Sequence, residues 1–220
     1  MNAQFEDLYD YDVLRRQTTA TMFIVRVQES TLVFGGNQSA DVINLDLAER
    51  FHPRRRRGGG GLVLLQPDDL WVDWWIPAGD VRWQSDVRQS AIRAGHWWSG
   101  ALPELVRARS YVHEEGLVGE LDHRVVCFAG RGPGEVFVDE RKAVGLTQWR
   151  VREGILLSSV LHANSSSDVV DLLAAPPVGI DGAIAHHTLA SLGIENVDLL
   201  TQRLRDGSGP WATRHLFLTA

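Results

Sequence analysis

The sequence predicts an α+β fold: a mixed or antiparallel central sheet flanked by helices. Strand-like segments crowd the middle of the chain and helical patterns gather towards its end. Nowhere do the two alternate as parallel βαβ units require. The 220 residues, 44% hydrophobic and 23% charged, are enough for one domain with a real core.

Taken in order, residues 22–27 and 31–34 are rich in β-branched and apolar side chains and are predicted to pair, closed by Gly35-Gly36. Residues 40–51 place Val42, Ile43, Leu45, Leu47 and Ala48 near helical spacing, with Asp41 at the start and Pro53 just beyond the end. Residues 62–65 and 70–76 are apolar runs joined by Gln66-Pro67-Asp68-Asp69, which predicts a hairpin. Residues 85–101 carry the strongest helical pattern, through Val87, Ile92, Ala94, Trp97 and Trp98, with Ser85 as N-cap and Pro103 beyond the end. Strands are then predicted over 124–128, 135–138, 142–150 and 155–161, and helices over 168–174, 183–192 and 197–204. Asn164 and the three serines after it predict a loop.

Composition narrows the function. A net charge of −6 sets the overall field against nucleic acid and anionic membrane surfaces. The single cysteine, Cys127, permits no internal disulfide and no cysteine-based metal site, which suits a reducing, cytoplasmic setting. No run approaches the ~20 apolar residues of a membrane span. No metal site is expected; His186-His187 are adjacent and point apart on a helix, so no function is assigned to them.

Two motifs carry chemistry. Arg54-Arg55-Arg56-Arg57-Gly58-Gly59-Gly60-Gly61 joins four guanidiniums to four residues whose backbone a ligand can approach. Glycines reach positive φ cheaply and can turn successive amides towards an anion. Alternation along an extended chain lets only about two of the arginines share one side. The plainer reading is a solvated basic loop, but the run leads straight into an apolar strand rather than between domains. The second motif runs from Gly132 to Thr147 as strand, tight turn and strand, with Lys142 just past the turn. Lys142 is the only lysine in a chain that otherwise uses 21 arginines, so one position holds a compact ammonium where a planar fork is the default. Ala143, Gly145 and Thr147 form a narrow face along which a ligand could lie. A surface hairpin with a solvated lysine is the bland alternative.

These segments resemble the lipoate-protein ligase family and its wider superfamily of biotin ligases and octanoyltransferases. Arg55-Arg56-Arg57-Gly58-Gly59-Gly60-Gly61-Leu62-Val63-Leu64-Leu65-Gln66 lies over the family's Arg-Arg-x-Ser/Thr-Gly-Gly-Gly-Ala-Val-x-His-Asp signature. Asp139-Glu140-Arg141-Lys142-Ala143-Val144-Gly145-Leu146-Thr147 lies over its Asp-Gly-Arg/Lys-Lys motif, and Leu32 to Gln38 over a strand ending in Gly-Arg-x-Gln. The chain departs from the pattern at Gly58, Leu65 and Glu140. The resemblance implies one catalytic domain over residues 1–220 without a C-terminal accessory domain. It also implies ATP- and Mg2+-dependent activation of lipoate, or octanoate, to an acyl-adenylate. Transfer would follow to a lysine of a lipoyl-domain carrier, such as the E2 of a 2-oxoacid dehydrogenase or the glycine cleavage H protein. Lys142 would be catalytic. Arg55, Arg56, Gly59, Gly60 and Gly61 would hold phosphate or acyl carbonyl, and Val63, Leu65, Gly145 and Thr147 would border the acyl tunnel.

Two other readings stand beside this one. Cys127 matches the position of a nucleophile in a cysteine-dependent transferase branch, where neighbouring cations would lower its pKa; as part of Val125-Val126-Cys127-Phe128 it reads equally as a buried core residue. Erosion of the motif positions would leave a non-catalytic acyl- or carrier-binding module. Finally, Trp71, Asp73 and Trp75 share one strand face and Leu70, Val72, Trp74 and Ile76 the other; the first is expected to pack beneath the 85–101 helix rather than wall a pocket.

Overall fold

The computed structural model describes residues 5–165 and 167–218. The first half contains β1 (Glu6–Asp7), α1 (Tyr11–Arg15), β2 (Thr21–Val27), β3 (Thr31–Phe34), α2 (Leu45–Ala48), β4 (Arg54–Arg55), β5 (Val63–Leu65) and β6 (Leu70–Pro77). Then follow α3 (Val87–Ala101), α4 (Glu104–Arg107), β7 (Ser110–Val112), β8 (Val136–Val138), β9 (Arg141–Val151) and β10 (Gly154–Leu161). The chain closes with α5 (Ile180–Ala183), α6 (Val197–Ser208) and β11 (Ala212–Leu218). Among the described residues no helix is long and apolar enough to cross a membrane.

The expected mixed sheet is present as seven strands in the order β11-β2-β6-β10-β9-β8-β7, antiparallel except for β11 beside β2. A second, four-stranded sheet, β1-β4-β3-β5, faces it. Between them lies one apolar layer that holds Phe23, Val25, Trp71 and Trp75 from the large sheet with Phe34 and Leu65 from the small one. The opposite face of the large sheet, with Met22, Val72, Trp74 and Ile76, is covered by α3 through Trp98 and by α6 through Leu200 and Leu204. The period-two alternation of β6 therefore serves two cores at once, which is why the strand is buried along its whole length.

Several sequence expectations are corrected. Residues 22–27 and 31–34 are strands, but β2 lies in the large sheet and β3 in the small one, so they do not pair. Likewise β5 and β6 follow one another without forming a hairpin: the chain crosses between sheets at the Gln66 turn, where Asp69 accepts from the Gln66 amide at 2.9 Å. The N-cap of α3 is Asp86, whose side chain accepts from the Gln89 amide, and not Ser85. Residues 40–51 break into α2 between two short 3-10 turns, and of 183–192 only Ala183, the end of α5, is helical. Residues 122–125 and 127–129 are likewise 3-10 turns, joined to the small sheet by a single bridge from Val126 to Leu62. The Trp71 face looks to the small sheet, while the Trp97 ring lies against Trp74 at 5.3 Å, tilted by 54°.

One irregularity decides which way the site points. Between β8 and β9 the pairing shifts from Val136 opposite Val144 to Phe137 opposite Lys142, leaving Ala143 as an extra residue, a β-bulge. Ala143 joins the helix-side core, and Lys142 comes to the face of Gly145 and Thr147 instead.

Candidate active site

Four segments far apart in sequence meet above the β9 face. The Gln38 side chain ties two of them: its Oε1 accepts from the Gly35 amide of its own loop at 2.9 Å and its Nε2 donates to the Val125 carbonyl at 2.9 Å. The Gly36 amide donates to the Gly58 carbonyl at 2.8 Å, and Thr147 Oγ1 on β9 donates to the Gly59 carbonyl at 2.8 Å. Two of the four arginines share the inner side, as expected, but they are neighbours rather than alternate residues, because the strand ends at Arg55. Arg54 and Arg57 turn outwards to Glu6 (3.2 Å) and Asp7 (2.5 Å), while Arg55 and Arg56 turn inwards. Arg55 grips the loop carbonyls of Gly35 (3.0 Å) and Gln38 (2.7 Å). Arg56, 3% exposed, donates to the carbonyls of Gly59 (2.8 Å) and Gly61 (2.7 Å) and meets no carboxylate among the described residues, and burial holds its pKa below the ordinary value.

The glycines have different duties. A Cβ on Gly61 would lie 2.5 Å from the Arg124 carbonyl, and Gly60 has φ +89°, whereas Gly59 meets nothing within 4 Å and opens on the cleft. The amides of Gly59, Gly60 and Gly61 have no acceptor among the described residues, a set of donors suited to an anion.

Beneath them lies a cleft of about 940 Å3, lined by Gly59, Gly60, Gly61, Cys127, Thr147 and Lys142. Arg88, Arg124 and Arg131 border it, which makes its walls cationic. A narrow inner cavity adjoins it through Cys127 and Thr147 and is lined further in by Arg56, Val63, Trp71, Gly145 and Ser158. Of the residues predicted from sequence, Lys142, Gly59, Gly60, Gly61, Cys127 and Thr147 thus share the cleft; Arg56, Val63 and Gly145 belong to the inner cavity. Arg55 lines neither, since it braces the 35–38 loop, and Leu65 is fully buried in the core between the sheets.

Lys142 is buried at 3% exposure on the cleft floor. Its Nζ donates to the Cys127 carbonyl at 2.9 Å and lies 2.8 Å from the Glu135 carboxylate. Both carboxylate oxygens of Glu135 lie 2.8 Å from Nζ, so a ligand in the cleft would share one of the three ammonium donors with them. The Phe128 ring lies 5.3 Å from Nζ and is wedged between His162 and His186. Glu135 was not anticipated. Burial pushes its carboxyl up, against the pull of Lys142 and of the Gly132 amide, which donates to it at 2.6 Å. The only sequence signal was an acidic residue opening the apolar run 135–138. Burial likewise pushes the Cys127 thiol up, and the nearby Arg56 and Lys142 do not reverse it.

The candidate site is thus a mixed sheet carrying a buried lysine beneath a glycine loop with open amides, with a narrow cavity beside them. No family model matches the sequence, and no curated protein matches it. Solved structures do. A bi-partite lipoate protein ligase from Thermoplasma acidophilum superposes with a TM-score of 0.71 at 15% identity, covering 96% of this chain and 81% of that one. A lipoate-protein ligase A bound with ATP gives 0.69 at 16% identity over 100% and 90%, and a T. acidophilum protein with bound lipoic acid gives 0.68 at 14% over 99% and 90%. The chain has the lipoate-protein ligase fold.

Proposed function

We propose that this protein activates a carboxylic acid of the lipoate kind with ATP and passes the acyl group to a lysine of a carrier domain. The observation that carries the reading is Lys142: the sole lysine, buried on the floor of a cationic cleft and facing the open glycine amides. A fixed ammonium aimed where carboxylate and α-phosphate oxygens gain charge is preorganised electrostatic stabilisation. Glu135 and the Cys127 carbonyl hold Nζ in place, and the glycine amides with Arg124 and Arg131 would take the phosphates. Neighbours of the same fold were solved with ATP and with lipoic acid, and one with its E2 lipoyl domain, which supports both substrates and carrier class. Among the described residues no group of three or more His, Cys, Asp or Glu could hold a metal ion, so Mg2+ would travel with the nucleotide.

Incubation with lipoate, ATP and Mg2+ should release pyrophosphate and leave lipoyl-adenylate, and addition of a lipoyl domain should yield the lipoylated domain by intact mass. Absence of both products would refute the proposal. A second reading, acyl transfer through Cys127, is favoured by the thiol's place at the junction of cleft and cavity. It ranks behind because its pKa is raised and the thiolate is the nucleophile. An acyl adduct on Cys127 formed from an octanoyl carrier without ATP would reverse that order. Binding with neither product would instead identify a non-catalytic acyl- or carrier-binding module.

A further inference from the structure

Beside Lys142 lies a second group of buried polar side chains, gathered around one aromatic ring. The Phe128 ring packs so closely on β9 that a Cβ on Gly145 would stand 2.9 Å from its Cε2 and Cζ. Its centroid is 4.6 Å from that of His162 and 5.0 Å from that of His186. The two imidazoles are 5.1 Å apart, so the three rings close a triangle. His162 is fixed in turn, with Nδ1 at 2.8 Å from the Asp69 carboxylate and both side chains fully buried. That carboxylate also accepts from the Gln66 amide at 2.9 Å and the Ala163 amide at 2.7 Å, which clamps the turn before β6 to the end of β10. His186 donates from Nδ1 to the Ile184 carbonyl at 2.8 Å, and a backbone bridge joins it to Lys142 itself. Burial, with His162 beside it, lowers the His186 pKa to about 4, so this ring packs as a neutral one. The Nε2 atoms of both histidines are buried without a partner among the described residues. Two unbonded imidazole nitrogens destabilise a core in a way that leucines would not. What the enclosed ring meets beyond this group is the cation: Lys142 Nζ lies 5.3 Å over the Phe128 centroid, within reach of its quadrupole.

We infer that Phe128 is a positioning residue for the reaction: its ring face holds the Lys142 ammonium at the cleft floor, and the Asp69–His162 pair with His186 holds the ring. Glu135 and the Cys127 carbonyl fix Nζ through hydrogen bonds, whereas a π-face attracts a cation without taking up a further donor. The inference rests on the reading of Lys142 as the charge that meets the acid, and assigns what keeps that charge in place.

Because Lys142 is the sole lysine, protein labelled with ε-13C-lysine gives a single NMR signal, from the very group in question. In the parent its ε protons should appear as two separate lines, upfield of free lysine through the ring current of Phe128. Phe128→Leu and His162→Asn, which keeps a donor for Asp69 but has no ring, should both move the signal towards the free-lysine position. His162→Phe, which keeps a ring face against Phe128, should leave it in place. With lipoate and ATP the first two variants should lower kcat about tenfold, the size of one buried cation–π contact, while KM for ATP stays within about threefold. A parent signal at the free-lysine position, a signal that His162→Asn leaves unmoved, or an unchanged kcat in Phe128→Leu would overturn the inference. The parent spectrum decides even where a variant does not fold. A parent that releases no pyrophosphate refutes the ligase alone, since the lysine signal is read without any substrate.

Discussion

Removing the Lys142 ammonium should unfold part of what it was meant to test. Lys142 and Glu135 are 2% and 5% exposed as side chains and 2.8 Å apart. At an effective dielectric of ~20 their gross attraction is about 6 kcal/mol, most of it offset by the desolvation both groups suffer. Lys142→Met removes the attraction and keeps the desolvation of Glu135, so a loss of about 3–5 kcal/mol is expected at neutral pH. For a chain of this size that is a fall of about 6–20 °C in Tm. The sign with pH follows: without its partner, the Glu135 carboxyl has a folded pKa further above its unfolded value. The deficit therefore grows as pH rises from about 4.5 and shrinks on acidification. Adding Glu135→Gln should restore most of the stability without restoring turnover. Urea unfolding of parent, single and double variants at pH 5 and pH 7.5 checks this. A Lys142→Met protein as stable as the parent at pH 7.5, or one that Glu135→Gln fails to rescue, would refute the reasoning.

Asp73 predicts a second pH effect of the same sign. Burial raises its folded pKa to about 7, about 3 units above the ordinary 3.8, so this group lowers stability progressively between about pH 4 and 7, by at most ~4 kcal/mol. Asp73→Asn should remove that slope and raise Tm near pH 7.5; an unchanged slope would contradict it. Gly59→Ala should change stability by no more than about 1 kcal/mol, whereas Gly61→Ala, forced against the Arg124 and Val125 carbonyls, should cost more than about 2 kcal/mol in urea denaturation. Arg56→Met should cost about 1–3 kcal/mol for the Gly61 carbonyl left without a donor, the Gly59 carbonyl keeping that of Thr147 Oγ1, with thermal unfolding as the readout.

What could be read from the sequence was what local pattern determines. The α3 segment shows its 3.6-residue period within itself, and β6 shows its alternation, so both were legible to within a residue or two. Strand partners are chosen by residues far away: nothing in 22–34 shows that β2 will lie against β6 and β11 while β3 leaves for another sheet. Val125-Val126-Cys127-Phe128 looks like a strand because it is apolar, but its apolarity comes from bridging the two sheets in 3-10 turns. In the site, Lys142 was conspicuous by type and Gly59 to Gly61 by composition. Glu135 was not, because an acidic residue inside an apolar run shows its burial only once the packing around it is known. The Ala143 bulge was equally hidden, since it exists only relative to β8.

The burial of Lys142 also has a consequence for the exterior. Every other side-chain cation is a guanidinium, apart from histidine, and a guanidinium does not give up its proton to become a nucleophile. The surface therefore presents no lysine amine at all. Under the proposed function, a reactive acyl anhydride that escaped the cleft would find no exposed ε-amino group of its own chain to label, and the first lysine it met would belong to another molecule.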